Sequence, residues 1–69
     1  MDVQVYQILD DRSPMERILA ALKLYGAVPE EIITSRDLAI EQETINGIKV
    51  ETVTWLTNGY GYVGMVERG

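Results

Sequence analysis

Residues 38–67 read "LAIEQETINGIKVETVTWLTNGYGYVGMVE", and this stretch decides the fold. Two Asn-Gly pairs, Asn46-Gly47 and Asn58-Gly59, stand twelve residues apart between runs rich in β-branched and aromatic side chains. Asn and Gly tolerate the positive φ that both central residues of a type I′ turn require, so each pair is typical of a tight hairpin. Together the two turns predict a three-stranded antiparallel meander.

The strand register follows from the turns by counting outward, provided that each loop has two residues. Ile45 is then expected opposite Ile48, and Gly64 opposite Val53. Because successive side chains alternate between the two faces of a strand, the register also assigns the faces. The face expected to pack against a helix consists of Leu38, Ile40, Val53, Trp55, Tyr60, Tyr62 and Val66. The opposite, exposed face is expected to carry Ala39, Glu41, Glu43, Ile45, Ile48, Val50, Thr52, Thr54, Leu56, Val63 and Met65.

The N-terminal part of the chain predicts a strand followed by a helix. Val3 to Leu9, "VQVYQIL", has the β-branched and aromatic composition of a strand. In "SPME", Ser13 suits the N-cap, Pro14 the first helical position and Glu16 the third position of a capping box. An apolar stripe at helical spacing follows, and Gly26 stands where a left-handed cap ends a helix. The stripe consists of Met15, Ile18, Leu19, Leu22 and Tyr25.

The segment between the helix and the meander, "AVPEEIITSRD", is expected to be a connection with some local order. A competing interpretation is a helix over residues 35–45, but Glu41, Gln42 and Glu43 break its apolar stripe. The predicted fold class is α+β, with a single small domain over residues 1–69 in the order β-α-β-β-β. One helix packs on a mainly antiparallel sheet that ends in the three-stranded meander.

The composition excludes several kinds of site. The 69 residues include neither Cys nor His, which removes disulfides, the usual zinc sites and the Ser-His or Cys-His pairs of nucleophilic catalysis. The net charge of -5 opposes the phosphate neutralisation on which nucleic-acid binding depends. No stretch has the form of a membrane span or a secretion signal. We therefore expect a cytoplasmic, non-enzymatic protein without cofactor or metal, which binds neither nucleic acid nor membrane directly.

Gly59, Gly61 and Gly64, together with Val66, spell G-x-G-x-x-G-x-V, the pattern of a nucleotide-binding glycine loop. A dinucleotide-binding loop needs a following helix whose N-terminus receives the pyrophosphate, and only five residues follow Gly64. The kinase version acts over a cleft built from a downstream catalytic lobe. The glycines are therefore expected to serve the hairpin, with Gly59 in the turn and Gly64 opposite Val53.

The exposed face of the predicted sheet requires a covering, because a single helix packs on one side of a sheet. Three explanations stand side by side: a subunit or partner covers the face, a bulge shifts the register, or the connection at Ile32 and Ile33 folds back over it. We expect a protein interface on this face, with one aromatic residue at the tip of the second turn. The expected interface residues are Glu41, Glu43, Val50, Thr52, Thr54, Tyr60, Val63 and Met65.

These features favour a small acidic protein-binding module, of the regulator or inhibitor kind found among compact bacterial and phage proteins, which acts by occluding its partner. The expected partner is another protein with a basic surface, and the same face is also suited to joining two copies in a homodimer. One alternative is a sensor domain that encloses a small molecule beside Trp55 and Tyr62. The other is an acidic mimic of nucleic acid.

Overall fold

The computed structural model describes residues 2–9, 11–38, 40–56 and 61–67. Over these residues the elements are β1 (Val3–Gln7), α1 (Pro14–Tyr25), β2 (Glu31–Thr34), β3 (Thr44–Ile45), β4 (Ile48–Thr52) and β5 (Tyr62–Val66). The strands form one sheet in the order β1-β5-β2-β4-β3. The β2–β4 pair is parallel, and the β1–β5, β2–β5 and β3–β4 pairs are antiparallel. The predicted α+β class, with a helix on a mainly antiparallel sheet, is confirmed.

Both ends of α1 lie where the sequence predicts them. The Ser13 side chain accepts a hydrogen bond from the Glu16 N–H at 3.3 Å, and its hydroxyl donates to Oε1 of Glu16 at 3.0 Å. At the other end Gly26 adopts φ 74°, and its N–H donates to the Leu22 carbonyl at 3.1 Å. These contacts satisfy backbone groups that a helix terminus would otherwise leave unpaired.

The main core lies between α1 and one side of the sheet, which we call the helix side. Its buried members are Ile18, Ala21, Ile32, Leu38, Ile45, Ile48, Val63 and Met65. A smaller core lies on the other side, which we call the loop side because the segment after β4 covers it. There Val53 and Leu56 of that segment pack with Ile33 of β2 and Val66 of β5. Both sides of the sheet are thus covered, and β2 contributes an isoleucine to each.

The first predicted hairpin is confirmed, whereas the second is wrong. Asn46 and Gly47 have φ values of 52° and 77°, and Ile45 lies opposite Ile48. The strand β5, however, does not pair with β4, because β2 lies between them. Gly64 is therefore opposite Val5 and Ile33 instead of Val53. The turn at residues 58–59 lies outside the described residues.

The segment expected to be a connection forms the central strand β2 for a physical reason. A strand with neighbours on both edges and a cover on both faces must be apolar on both sides. Ile32 is buried on the helix side and Ile33 on the loop side, at 0% and 3% exposure. The antiparallel meander offers no such position, since its faces alternate between apolar and polar residues. Burial of these two side chains thus favours β2 in the centre of the sheet.

The two faces of the sheet were grouped only partly as predicted and were given the wrong environments, because Leu38 and Ile40 pack on the same side as Ile48, and Leu56 packs on the other side with Val53. Val63 and Met65 share a face with Ile48, as predicted, yet this face packs against α1 and buries them. The expected core residue Trp55 is 62% exposed instead. The face that was expected to need a covering is the one that packs against α1, and residues 53–56 cover the other side. The connection at residues 32–33 folds into the sheet itself.

Candidate functional site

The structure describes seven of the eight predicted interface residues and separates them into two environments. Val63 and Met65 are fully buried beneath α1, and Val50 is half-buried against the same core, so the expected exposed face is not available there. The acidic and threonine members, by contrast, are all exposed around β3 and β4. These are Glu41, Glu43, Thr52 and Thr54. Tyr60 lies outside the described residues.

The exposed members are positioned by the hairpin and by β2. The N–H of Val50 donates to the carbonyl of Glu43 at 2.9 Å, so the contact between the hairpin strands extends one residue before β3. At the end of β4 the hydroxyl oxygens of Thr52 and Thr34 are 3.4 Å apart, within hydrogen-bond range. One residue later, the N–H of Val53 donates to the Thr34 carbonyl at 3.0 Å. The chain therefore leaves the sheet from a fixed point.

Trp55 is the exposed residue that the sequence reading missed. Its neighbours Val53 and Leu56 turn inward onto the loop side of the sheet, where Leu56 is 6% exposed. The side chain of Trp55, between them, remains 62% exposed. The sequence contained a clue to this exposure, because Trp55 and Leu56 are adjacent, and Leu56 can pack over Ile33 only if Trp55 points elsewhere. We call the exposed residues Glu43, Glu51, Thr52, Thr54 and Trp55 the Trp55 surface.

The start of β5 is fixed by a polar cluster that the sequence reading also missed. The carboxylate of Asp37 accepts from the Ser35 hydroxyl at 2.5 Å and from the Gly61 N–H at 2.7 Å. Ser35, itself buried, donates its N–H to the Tyr62 carbonyl at 3.1 Å. Partial burial raises the pKa of Asp37, but the two hydrogen bonds and the positive charge of Arg17 outweigh it and lower the pKa overall. The cluster joins the end of β2 to the start of β5.

Two glycines of the G-x-G-x-x-G pattern stand at positions where the structure leaves no room for a side chain. Gly61 adopts φ 70°, and a Cβ there would approach the Ile8 carbonyl oxygen to 2.4 Å. A Cβ on Gly64 would lie 2.6 Å from Cγ1 of Ile33 and 3.0 Å from Cγ1 of Val3. The missing bulk at Gly64 therefore admits side chains of β2 and β1 on the loop side. Gly59 lies outside the described residues.

Two open clefts lie on the surface of the described residues. One, of about 480 Å³, is lined by Ile8, Arg12, Ala20, Lys23 and Leu24. Another, of about 320 Å³, is lined by Glu30, Glu31, Lys49 and Val66, and an ion pair of 3.7 Å joins Lys49 to Glu31 beside it. Neither cleft involves Trp55 or Tyr62, the residues named for a small-molecule site. Among the described residues, no three His, Cys, Asp or Glu side chains come together as a metal site.

Comparison with known proteins identifies no relative. No family model matches the chain, and no curated protein or solved structure is significantly similar to it. In the described residues, no helix has the length and apolar character needed to cross a bilayer. Any functional conclusion must therefore rest on the surfaces that the fold presents.

Proposed function

We propose that this chain is a small acidic protein-binding module, which acts by covering a surface of its partner and performs no chemistry of its own. The observation that carries the proposal is the exposure of Trp55, at 62%. Burial of a tryptophan removes a large apolar area from water, and exposed tryptophans are enriched among the residues that dominate binding energy. The two inward-facing neighbours, Val53 and Leu56, hold its backbone against the sheet.

The charge around Trp55 indicates the kind of partner. Glu43, opposite Val50, and Glu51, opposite Ile33, are exposed on the two different faces of the sheet, and the whole chain carries a net charge of -5. An acidic chain with an exposed aromatic anchor favours a partner with a basic surface, since complementary charge speeds association and discriminates against acidic proteins. Thr52 and Thr54 add hydroxyl groups that donate and accept hydrogen bonds. These groups suit the polar rim of an interface.

The predicted interface is revised accordingly. Glu41, Glu43, Thr52 and Thr54 are retained, Glu51 is added, and Trp55 replaces the buried Val63 and Met65 as the apolar centre. A regulator or inhibitor that occludes its partner needs only such a surface on a rigid support. Because the chain has no cysteine, we place it in the reducing cytoplasm.

The proposal is tested by capture of a partner with variants matched for exposure. The chain is immobilised and exposed to a lysate of its source organism, and the captured protein is identified by mass spectrometry. Trp55→Ala should lose the captured protein, whereas Leu24→Ala should retain it, because Leu24 is 65% exposed but lies on α1. Glu43→Gln combined with Glu51→Gln should weaken capture chiefly at low salt.

Three results would count against the proposal. Capture that survives Trp55→Ala would place the interface elsewhere. Equal loss in the Leu24→Ala variant would indicate non-specific adhesion. Capture of only nucleic-acid-binding proteins, competed by DNA, would favour the acidic mimic instead.

A further inference from the structure

The two edges of the sheet differ in how well they are protected against pairing with another chain. Exposed edge strands invite pairing with another chain, and proteins usually blunt them with charges, proline or very short strands. At one edge β3 has two residues and follows the acidic Glu43. At the other edge β1 has five residues, "VQVYQ", with no charge, proline or glycine. Over the described residues, β1 is therefore the unguarded edge.

The backbone of β1 is oriented for pairing on its outer edge, the one away from β5. The Ile8 N–H donates to the Gly61 carbonyl at 3.1 Å, and the Asp2 carbonyl accepts from the Glu67 N–H at 2.9 Å. In an antiparallel ladder the residues that bond to one neighbour alternate with those that face away. The even-numbered residues thus face β5. Val3 and Val5 direct their N–H and C=O groups to the outer edge.

We infer that a second copy of this chain pairs antiparallel with the outer edge of β1, about a two-fold axis at Val5. Val5 of each copy then lies opposite Val5 of the other, and the two exchange both backbone hydrogen bonds. Val5 is 48% exposed, so the pairing also covers an apolar side chain. The two sheets join into one that is continuous across the copies, and neither copy retains an unguarded edge.

The register brings opposite charges together. Counting outward from Val5 places Asp2 of one copy opposite Ile8 of the other, and directly opposed residues share a face. That face is the helix side, because Tyr6 packs against the core under α1. Ile8 lines the cleft of about 480 Å³ together with Arg12 and Lys23, so this register carries the carboxylate of Asp2 to a cleft with two basic side chains, of which Lys23 is on α1. Each two-fold pair forms this contact twice.

A second copy fits this edge better than a different protein does. Two chains of net charge -5 repel each other over most of their surfaces, so self-association requires a neutral contact or one with opposite charges. The strand β1 is neutral, and only the antiparallel arrangement brings Asp2 of one copy to the cleft that contains Lys23 of the other. An acidic partner of unrelated sequence would lack residues that match β1 across the two-fold axis. A basic partner would bind better at the Trp55 surface.

Cysteine cross-linking tests the axis directly, because the chain contains no natural cysteine. In the inferred dimer the two Val5 Cα atoms lie about 5.5 Å apart, within the span of a disulfide. Val5→Cys should form a dimer linked by a disulfide under mild oxidation. Val28→Cys, at a residue 62% exposed before β2, should stay monomeric under the same conditions. Equal cross-linking of the two variants would overturn the inference.

Sedimentation equilibrium tests the edge and the charges without cysteine. The wild-type chain should reach twice its mass of 7.8 kDa, and Val5→Lys should weaken association at least about tenfold by placing two like charges opposite each other. Asp2→Lys and Lys23→Glu should each weaken the dimer, and the double variant should recover it. A monomeric wild type, a dimer that survives Val5→Lys, or a double variant without recovery would each refute this dimer. Trp55→Ala should leave the dimer intact, which separates this result from the test of partner binding.

Discussion

The Gly61 N–H donates a hydrogen bond of 2.7 Å to Oδ2 of Asp37, across 24 residues of sequence. The other carboxylate oxygen accepts from Ser35, whose buried backbone bonds to the first residue of β5. One exposed carboxylate therefore holds the turn after β2 against the start of β5. Hydrogen bonds to a charged acceptor are stronger than those between neutral groups, although solvent around Asp37 weakens its contribution.

Asp37→Asn should destabilise the fold by about 1 kcal/mol near neutral pH, because the amide cannot accept from both donors as a charged group. The contacts lower the pKa of Asp37, so their stabilisation is present above the ordinary carboxyl value of 3.8 and is lost as the pH falls through the lower folded-state pKa. Urea unfolding at neutral and acidic pH measures the difference between wild type and variant, which should shrink in acid. A constant difference would contradict this account, and Asp11→Asn, at an exposed residue before α1, controls for loss of charge alone.

Gly61→Ala should be markedly more destabilising than Gly47→Ala. Both glycines have positive φ, at 70° and 77°, so each substitution strains the backbone by about 1 kcal/mol. At Gly61 the new Cβ would also lie 2.4 Å from the Ile8 carbonyl oxygen, whereas Gly47 has open space around it. We expect a total cost above about 2 kcal/mol at Gly61, measured by chemical denaturation. Equal losses of unfolding free energy at the two positions would show that the backbone after β1 moves to accommodate the added methyl group.

Gly64→Ala should destabilise the protein through contact with Ile33, whose Cγ1 would lie 2.6 Å from the new Cβ. Overpacking of this kind typically costs about 1–3 kcal/mol. In an Ile33→Ala background the same substitution should cost much less, because the colliding atoms are gone. A double-mutant cycle on unfolding free energies measures the coupling, and additive costs would contradict the contact.

Met65→Ala and Trp55→Ala should have opposite signatures. Met65 is fully buried under α1, so its truncation should cost about 2–4 kcal/mol of stability. Trp55 is 62% exposed, so its truncation should change stability little while abolishing partner capture. Thermal melts and capture assays on the same preparations distinguish the two. A large loss of stability from Trp55→Ala would indicate that Trp55 is packed in the core.

The local signals in the sequence predicted local structure well. Ser13 and Gly26 mark the two ends of α1 because capping depends on the residues at the cap and the adjacent turn. Asn46-Gly47 forms its hairpin for the same reason, since a type I′ turn is set by two residues. These features required no knowledge of the rest of the chain.

Local signals could not predict which strands lie side by side, because strand pairing depends on contacts between distant segments of the chain. Nothing near β4 indicates that β2 will lie beside it in parallel, whereas Asn58-Gly59 between β4 and β5 predicted that these two strands pair as a hairpin. The adjacent Ile32 and Ile33 were the available clue, since one isoleucine per face is typical of a central strand. The misplacement of Trp55 followed from the same error. Tyr62, which was predicted on the same face of the meander as Trp55, lies opposite Gln7 of β1 instead.

The position of β5 between β1 and β2 has a consequence for synthesis on the ribosome. β5 emerges after the other four strands, yet it is the strand partner of β1 and one of the two neighbours of β2. Until β5 pairs with it, β1 has no neighbouring strand, and the apolar surfaces of Ile32 and Ile33 are only partly covered. We therefore expect the sheet to close late in synthesis, and a nascent chain paused before Tyr62 to expose apolar surface of the kind that chaperones bind.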